Sequence, residues 1–195
     1  MSASYDYLFV TLGPVPTPHQ SLAVALRGLT GASVVGQFAP MLGWKTNEAA
    51  VLLRRPADES APGDLGPLVV AYSSERLQPT IRPGDGDRLL AGGIYVHRWF
   101  EVEAAAAEEF VNLSGQGWRR FETQFDARIF GLFRAEPSRR DAAEGLARLL
   151  LITRYADHGV WEASRDPTSE AMQIFARRQR LTRRSWAAST RLASA

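Results

Sequence analysis

Short stretches of alternating hydrophobic and polar residues, separated by turns rich in glycine and proline, run along the chain in an order that repeats once. Residues 5–12 are aromatic and branched and end at Gly13-Pro14, which predicts a strand. Leu22, Leu26 and Leu29 fall on one face of a helix over 18–29. Gly31 stops that helix, because glycine takes the left-handed conformation without steric cost. Strands follow over 33–41 and 48–55, joined by the turn 42–47. Then come a loop over 56–67, a short strand over 68–73, and a linker over 82–88 built around Pro83-Gly84-Asp85-Gly86-Asp87.

The order restarts with a strand over 93–102 and a helix over 103–125 interrupted by Gly115 and Gly117. Strands over 126–135 and 147–155 flank a charged loop, 136–143. Residues 157–192 read as mostly helical and broken at Asp166-Pro167, with Asp157 capping the first segment and Thr168 or Ser169 the second. Strand–helix–strand–strand, twice over, predicts an α+β fold of two tandem ferredoxin-like halves with antiparallel sheets. The first half, 1–88, is degenerate because its second helix is missing; the second, 89–195, is complete. Each sheet carries helices on one face only, so its other apolar face must be covered. Two such faces laid together close a barrel around a central cavity, within one chain or between two.

The segment Gly93-Ile94-Tyr95-Val96-His97-Arg98-Trp99-Phe100 resembles the opening strand of NIPSNAP domains, where an Ile-Tyr pair is followed by an arginine and an aromatic. Residues 150–155, followed by Trp161-Glu162-Ala163-Ser164-Arg165, resemble that family's closing strand and the start of its last helix, and residues 36–55 its central hairpin. The resemblance spans most of 90–192 and, more weakly, 5–55, with Val96 standing where the family usually has a polar residue. It implies the dimeric α+β-barrel superfamily and therefore a homodimer. Members of that superfamily include cofactor-free monooxygenases, lactone isomerases and haem enzymes of the chlorite dismutase type. The family has no common reaction, so the resemblance assigns no catalytic residue, and kinship of fold is analogy only.

Composition narrows the chemistry mainly by subtraction. The chain has no cysteine, which excludes disulfides, thiolate metal sites and thiol nucleophiles. No basic leader precedes an apolar run, and no stretch approaches the roughly 20 apolar residues of a membrane span, so a soluble cytoplasmic protein without membrane contact is expected. Lys45 is the only lysine among 23 basic residues, a preference that codon bias in a GC-rich bacterial genome accounts for. Neither a Gly-x-Ser-x-Gly elbow nor a phosphate-cradling glycine loop occurs. His19, His97 and His158 lack metal-ligand spacing, and Gly84-Asp85-Gly86-Asp87 lacks the further acids of a calcium loop. No metal and no cofactor are therefore expected; a haem would need His97 or His158 as axial ligand. Arg177, Arg178, Arg180, Arg183, Arg184 and Arg191, beside Met172, Ile174, Phe175, Leu181 and Trp186, predict a docking helix with its arginines in water. A net charge of only +2 argues against a nucleic-acid partner.

Alternation places Tyr95, His97, Trp99 and Glu101 on one face of the strand 93–102, and Ile94, Val96, Arg98, Phe100 and Val102 on the other; which face lines the barrel is open. His97 is the candidate acid–base group, since imidazole titrates near neutrality, with a structural hydrogen-bonded histidine as the alternative. Arg98 is the candidate stabiliser of a carboxylate or enolate, because a mid-strand guanidinium in an apolar run needs a buried partner. An ion pair of Arg98 with Glu101, Glu122 or Asp126 is the alternative. Arginines recur at Arg128, Arg134, Arg148 and Arg154, of which Arg154 is expected inside. Tyr95, Trp99, Arg154, Tyr155 and Trp161 complete a ligand-binding set suited to a small hydrophobic or aromatic molecule. Three functions follow: binding of such a molecule with no assigned activity, a cofactor-independent monooxygenase or isomerase acting on an aromatic or polyketide-like substrate, or a non-catalytic dimerisation module.

Overall fold

The computed structural model describes residues 4–56 and 65–193. The first half contains β1 (Ser4–Leu12), α1 (Pro18–Leu26), β2 (Ser33–Leu42), β3 (Glu48–Arg55) and β4 (Val69–Pro79). The second contains β5 (Ile94–Glu103), α2 (Ala107–Gln124), β6 (Ala127–Ala135), α3 (Arg139–Glu144), β7 (Leu146–Tyr155), α4 (His158–Ala163), α5 (Glu170–Gln179) and β8 (Thr182–Leu192). The strands form one closed antiparallel barrel in the order β1-β3-β2-β8-β5-β7-β6-β4. Each half keeps the ferredoxin-like order, β4-β1-β3-β2 and β8-β5-β7-β6. The last strand of each half is also the seam: β4 bonds to β1 and β6, and β8 to β5 and β2. The barrel thus closes within a single chain.

The helix expected through 192 is corrected here. Helix α5 ends at Gln179, and Thr182–Leu192 is a strand, so Arg183, Arg184, Trp186 and Arg191 lie on β8. Arginine and alanine favour helix in this segment, but without β8 the facing edges of β5 and β2 would keep unpaired backbone groups. Cross-strand pairing of Trp186 with Trp99 and Thr190 with Tyr95 adds side-chain contacts to that backbone gain. Other differences are smaller. The strand expected over 68–73 continues to Pro79, α1 stops at Leu26, and the charged loop holds α3. A capping box formed by Ser138 and Asp141 starts α3, and Gly145 ends it at φ 65°. Gly115 and Gly117 do not break α2; they let it pack closely, since a side chain at Gly115 would overlap Ile81 and one at Gly117 would overlap Phe175. Of the loop expected over 56–67, residues 57–64 lie outside the described residues.

Three hydrophobic clusters follow from strand alternation. Tyr7, Phe38, Leu52, Tyr95, Trp99 and Ile152 fill the barrel interior. Leu8, Val51 and Leu53 face outward against Leu22 and Leu26 of α1. Val96, Phe100 and Leu151 face outward against Phe110, Trp118 and Phe121 of α2. The open question about β5 is thereby answered: Tyr95, His97 and Trp99 point into the barrel, while Val96, Arg98 and Phe100 point at the helices. Among the described residues no helix is long and apolar enough to cross a membrane.

Candidate functional site

Strand β5 separates two cavities. The first, about 460 Å³, lies in the barrel and is lined by Phe9, Trp44, Tyr72, His97, Trp99 and Trp186, among others. At its inner end the Tyr7 hydroxyl lies 2.7 Å from His97 Nδ1, and Thr190 Oγ1 lies 3.0 Å from His97 Nε2. Thr190 Oγ1 also donates to the Tyr95 carbonyl at 3.3 Å. One tautomer satisfies every group: Tyr7 donates to Nδ1, Nε2–H donates to Thr190, and Thr190 donates to Tyr95. With no carboxylate to compensate, burial pushes the His97 imidazole down to about 3, and burial holds the Tyr7 phenol well above its usual range. A neutral imidazole with both nitrogens engaged is a poor general base, and ligating a haem would cost one of its hydrogen bonds.

The second cavity, about 260 Å³, lies between the outer face of the second sheet and helices α2 and α5 with the α4–α5 connection. Its walls are largely apolar, with Phe100, Trp118, Phe121, Met172 and Phe175, yet Arg98, Arg165 and Arg178 all line it. The structure gives none of these arginines a carboxylate partner among the described residues. Arg165 donates to the Tyr155 hydroxyl at 3.3 Å and to Ser164 Oγ at 3.2 Å. Arg178, 7% exposed, reaches only Ser114 Oγ at 3.3 Å and stacks over Phe100, Phe110 and Phe175, its guanidinium carbon 4.6–5.1 Å from the ring centres. Desolvation and the like charges of Arg98 and Arg165 push Arg178 down to about 9, with Tyr155 opposing. Arg98 is lowered by desolvation and by Arg165. Burial raises the Tyr155 phenol, against the pull of these arginines. Trp118 Nε1, Arg165 Nε and Arg178 Nε are all buried without an acceptor. Concentrated positive charge with spare donors in an apolar chamber is suited to an anion with a flat hydrophobic body.

The sequence candidates therefore divide. His97 and Trp99 line the barrel cavity, while Tyr95 lies deeper and donates its hydroxyl to the Leu90 carbonyl at 2.6 Å. Arg98 and Tyr155 line the helix-covered cavity, and Arg98 and Trp161 share a neighbouring hollow of about 210 Å³ with His158. Arg154 joins neither group; it pairs with Asp126 at 2.9 Å. His97 and Arg98 thus cannot act on one bound molecule. None of the acids considered for Arg98 serves it: Asp126 holds Arg154, Glu122 holds Arg82 and Arg128, and Glu101 lies on the opposite face of β5. Sequence reasoning missed the roles of Arg165, Arg178, Tyr7 and Thr190. One signal was present: Ala171, Phe175 and Arg178 follow the i, i+4, i+7 spacing of a buried stripe, so Arg178 was an arginine on an apolar face.

No protein-family model matches the sequence, and no curated protein sequence does. Solved structures do match over the whole chain. An anthrone oxidase-like protein superposes with a TM-score of 0.68 at 13% identity, covering 99% of this chain and 92% of that one. An uncharacterized ferredoxin fold protein related to antibiotic biosynthesis monooxygenases, from Listeria monocytogenes 4b F2365, gives 0.57 at 9% identity, covering 100% and 97%. LmHde, a heme-degrading enzyme from Listeria monocytogenes, gives 0.50 at 13% identity, covering 96% and 99%. At such identities the likeness establishes the fold: an α+β protein of ferredoxin-like halves, in the dimeric α+β-barrel class.

Proposed function

We propose that the protein binds a small aromatic anion, or an aromatic ketone that becomes one as its enolate, in the helix-covered cavity. The observation that carries this reading is the convergence of Arg98, Arg165 and Arg178 on an apolar chamber with no carboxylate partner among the described residues. Burying uncompensated charge is costly, and a bound anion removes that cost. Calorimetric titration with 2-naphthoate tests it: saturable binding that Arg98→Gln and Arg178→Gln each weaken by about tenfold or more is expected. Absence of binding, or binding indifferent to both substitutions, overturns it.

The same arrangement favours a second, catalytic reading, a cofactor-independent monooxygenase. Guanidinium groups aimed at a ketone oxygen stabilise the enolate over the neutral ketone. The carbon acid loses its proton to solvent, and the carbanion carbon bonds to dioxygen. The resulting peroxide takes up a proton and loses water as a new carbonyl forms. One oxygen atom is retained and one leaves as water, so no other reductant is required. The fold shared with an anthrone oxidase-like protein makes anthrone the first substrate to try. Oxygen uptake with anthrone, slowed in Arg98→Gln, is the expected result; uptake equal in both proteins sinks this reading. Kinship to NIPSNAP rests on residues 93–100, 150–155 and 161–165 and on the hairpin 36–55, and a homodimer is part of the same reading, tested by light scattering.

A further inference from the structure

We propose that the barrel cavity is a second and independent binding site, for a flat uncharged aromatic molecule that carries an oxygen acceptor, such as an aryl ketone. Its walls are rings in near-parallel array. Trp186 lies 6.3 Å from Trp99 with planes inclined by 11°, and Phe9 lies 6.4 Å from Trp99 at 27°. Trp44 lies 5.6 Å from Phe9. Such surfaces hold a planar guest by offset stacking. At the rim Trp186 and Tyr72 are 41% and 37% exposed, so a guest in the cavity would take large apolar rings out of water.

Two polar features set the guest's chemistry. The Trp44 indole N–H is buried and has no acceptor among the described residues. A buried donor without a partner is unfavourable until an acceptor reaches it, and a guest's carbonyl oxygen supplies one. Glu48, paired with Lys45 at 3.6 Å, is the only charged side chain in the lining, and His97 is neutral there. Arg148, held by Glu75 and Asp141, and Arg184 stack on Trp99 and Trp186 without lining the cavity, so the site suits an uncharged guest. The helix-covered cavity has the opposite character. The two share no lining residue, because β5 gives His97 and Trp99 to one and Val96, Arg98 and Phe100 to the other.

Titration of the full chain with 2-acetylnaphthalene, with naphthalene for comparison, tests this. Saturable binding is expected, weakened by about tenfold or more by Trp186→Ala and by Ser73→Trp, which fills the cavity, and unchanged within about twofold by Arg178→Gln. Trp44→Phe abolishes the preference for 2-acetylnaphthalene over naphthalene. A thermal midpoint close to the parent's shows that each variant still folds. Failure to bind, or binding that survives both Trp186→Ala and Ser73→Trp, overturns the proposal. Loss of binding in Arg178→Gln also overturns it, by moving the guest to the helix-covered cavity. Because 2-naphthoate reports separately on that cavity, either site can fail without the other.

Discussion

On the outer face of the first half, Arg55 is buried against Asp6, with two guanidinium nitrogens on the two carboxylate oxygens and Arg76 at 3.6 Å. On the outer face of the second half, Arg178 is just as buried and meets only a hydroxyl and three aromatic rings. The two halves share a strand order, yet one closes its arginine internally and the other leaves Arg98, Arg165 and Arg178 facing a cavity. An arginine that already has its acid serves the fold. Arginines held together without one keep electrostatic potential in reserve for a ligand.

The largest test of that contrast removes the acid. Asp6→Asn strands Arg55 in the core, and urea unfolding should show a loss of about 3–5 kcal/mol. Arg178→Gln, measured without ligand, should cost far less or even stabilise, because it removes charge that burial already opposes. Equal losses would mean that both arginines are structural.

The surroundings of His97 add a third environment, buried and polar, in which both imidazole nitrogens meet hydroxyls and no carboxylate. The folded His97 pKa, about 3, lies below the unfolded value of 6.5, so the folded state resists its protonation. Its contribution is full above pH 6.5 and is lost as pH falls from 6.5 towards 3, with an upper bound of about 5 kcal/mol. Stability measured against pH should show this acid limb flattened in His97→Gln. An unchanged limb would mean that other groups control acid unfolding.

A ligand test comes next in size. At a hundred times its Kd, 2-naphthoate should stabilise the protein by about 2.7 kcal/mol, read as a rise in thermal midpoint, and at the same concentration Arg178→Gln should keep about half of that rise or less. The smallest effect concerns the support of the site. Ser169 caps α5 by accepting from the Met172 N–H at 3.3 Å, and α5 carries Arg178. Ser169→Ala should cost about 1 kcal/mol by denaturant titration and weaken 2-naphthoate binding modestly. Full affinity in that variant would show that α5 need not be firmly capped to present Arg178.

Most of the fold was legible because its signals are local. Tyr5, Tyr7 and Phe9 alternate with Leu8 and Val10, and Asp157 and Ser169 precede helices they do cap. β8 was not legible, because Thr182–Leu192 is poor in branched residues and becomes a strand only through pairing with β5 and β2. Its register depends on partners about 90 and 150 residues earlier in the chain, which no window of sequence contains.

For the site, alternation by itself determined that His97 and Arg98 face opposite ways, since successive strand residues always do. Helical spacing put Arg178 in line with Ala171 and Phe175, yet the arginines of this helix were expected in water, and packing buried this one. Only the tertiary structure decided which face was the barrel, that α5 and the turn before it bring Arg178 and Arg165 over Arg98, and that the nearby acids are committed to other arginines. Charge can be counted from a sequence, but whether a charge is compensated depends on distances that folding alone creates.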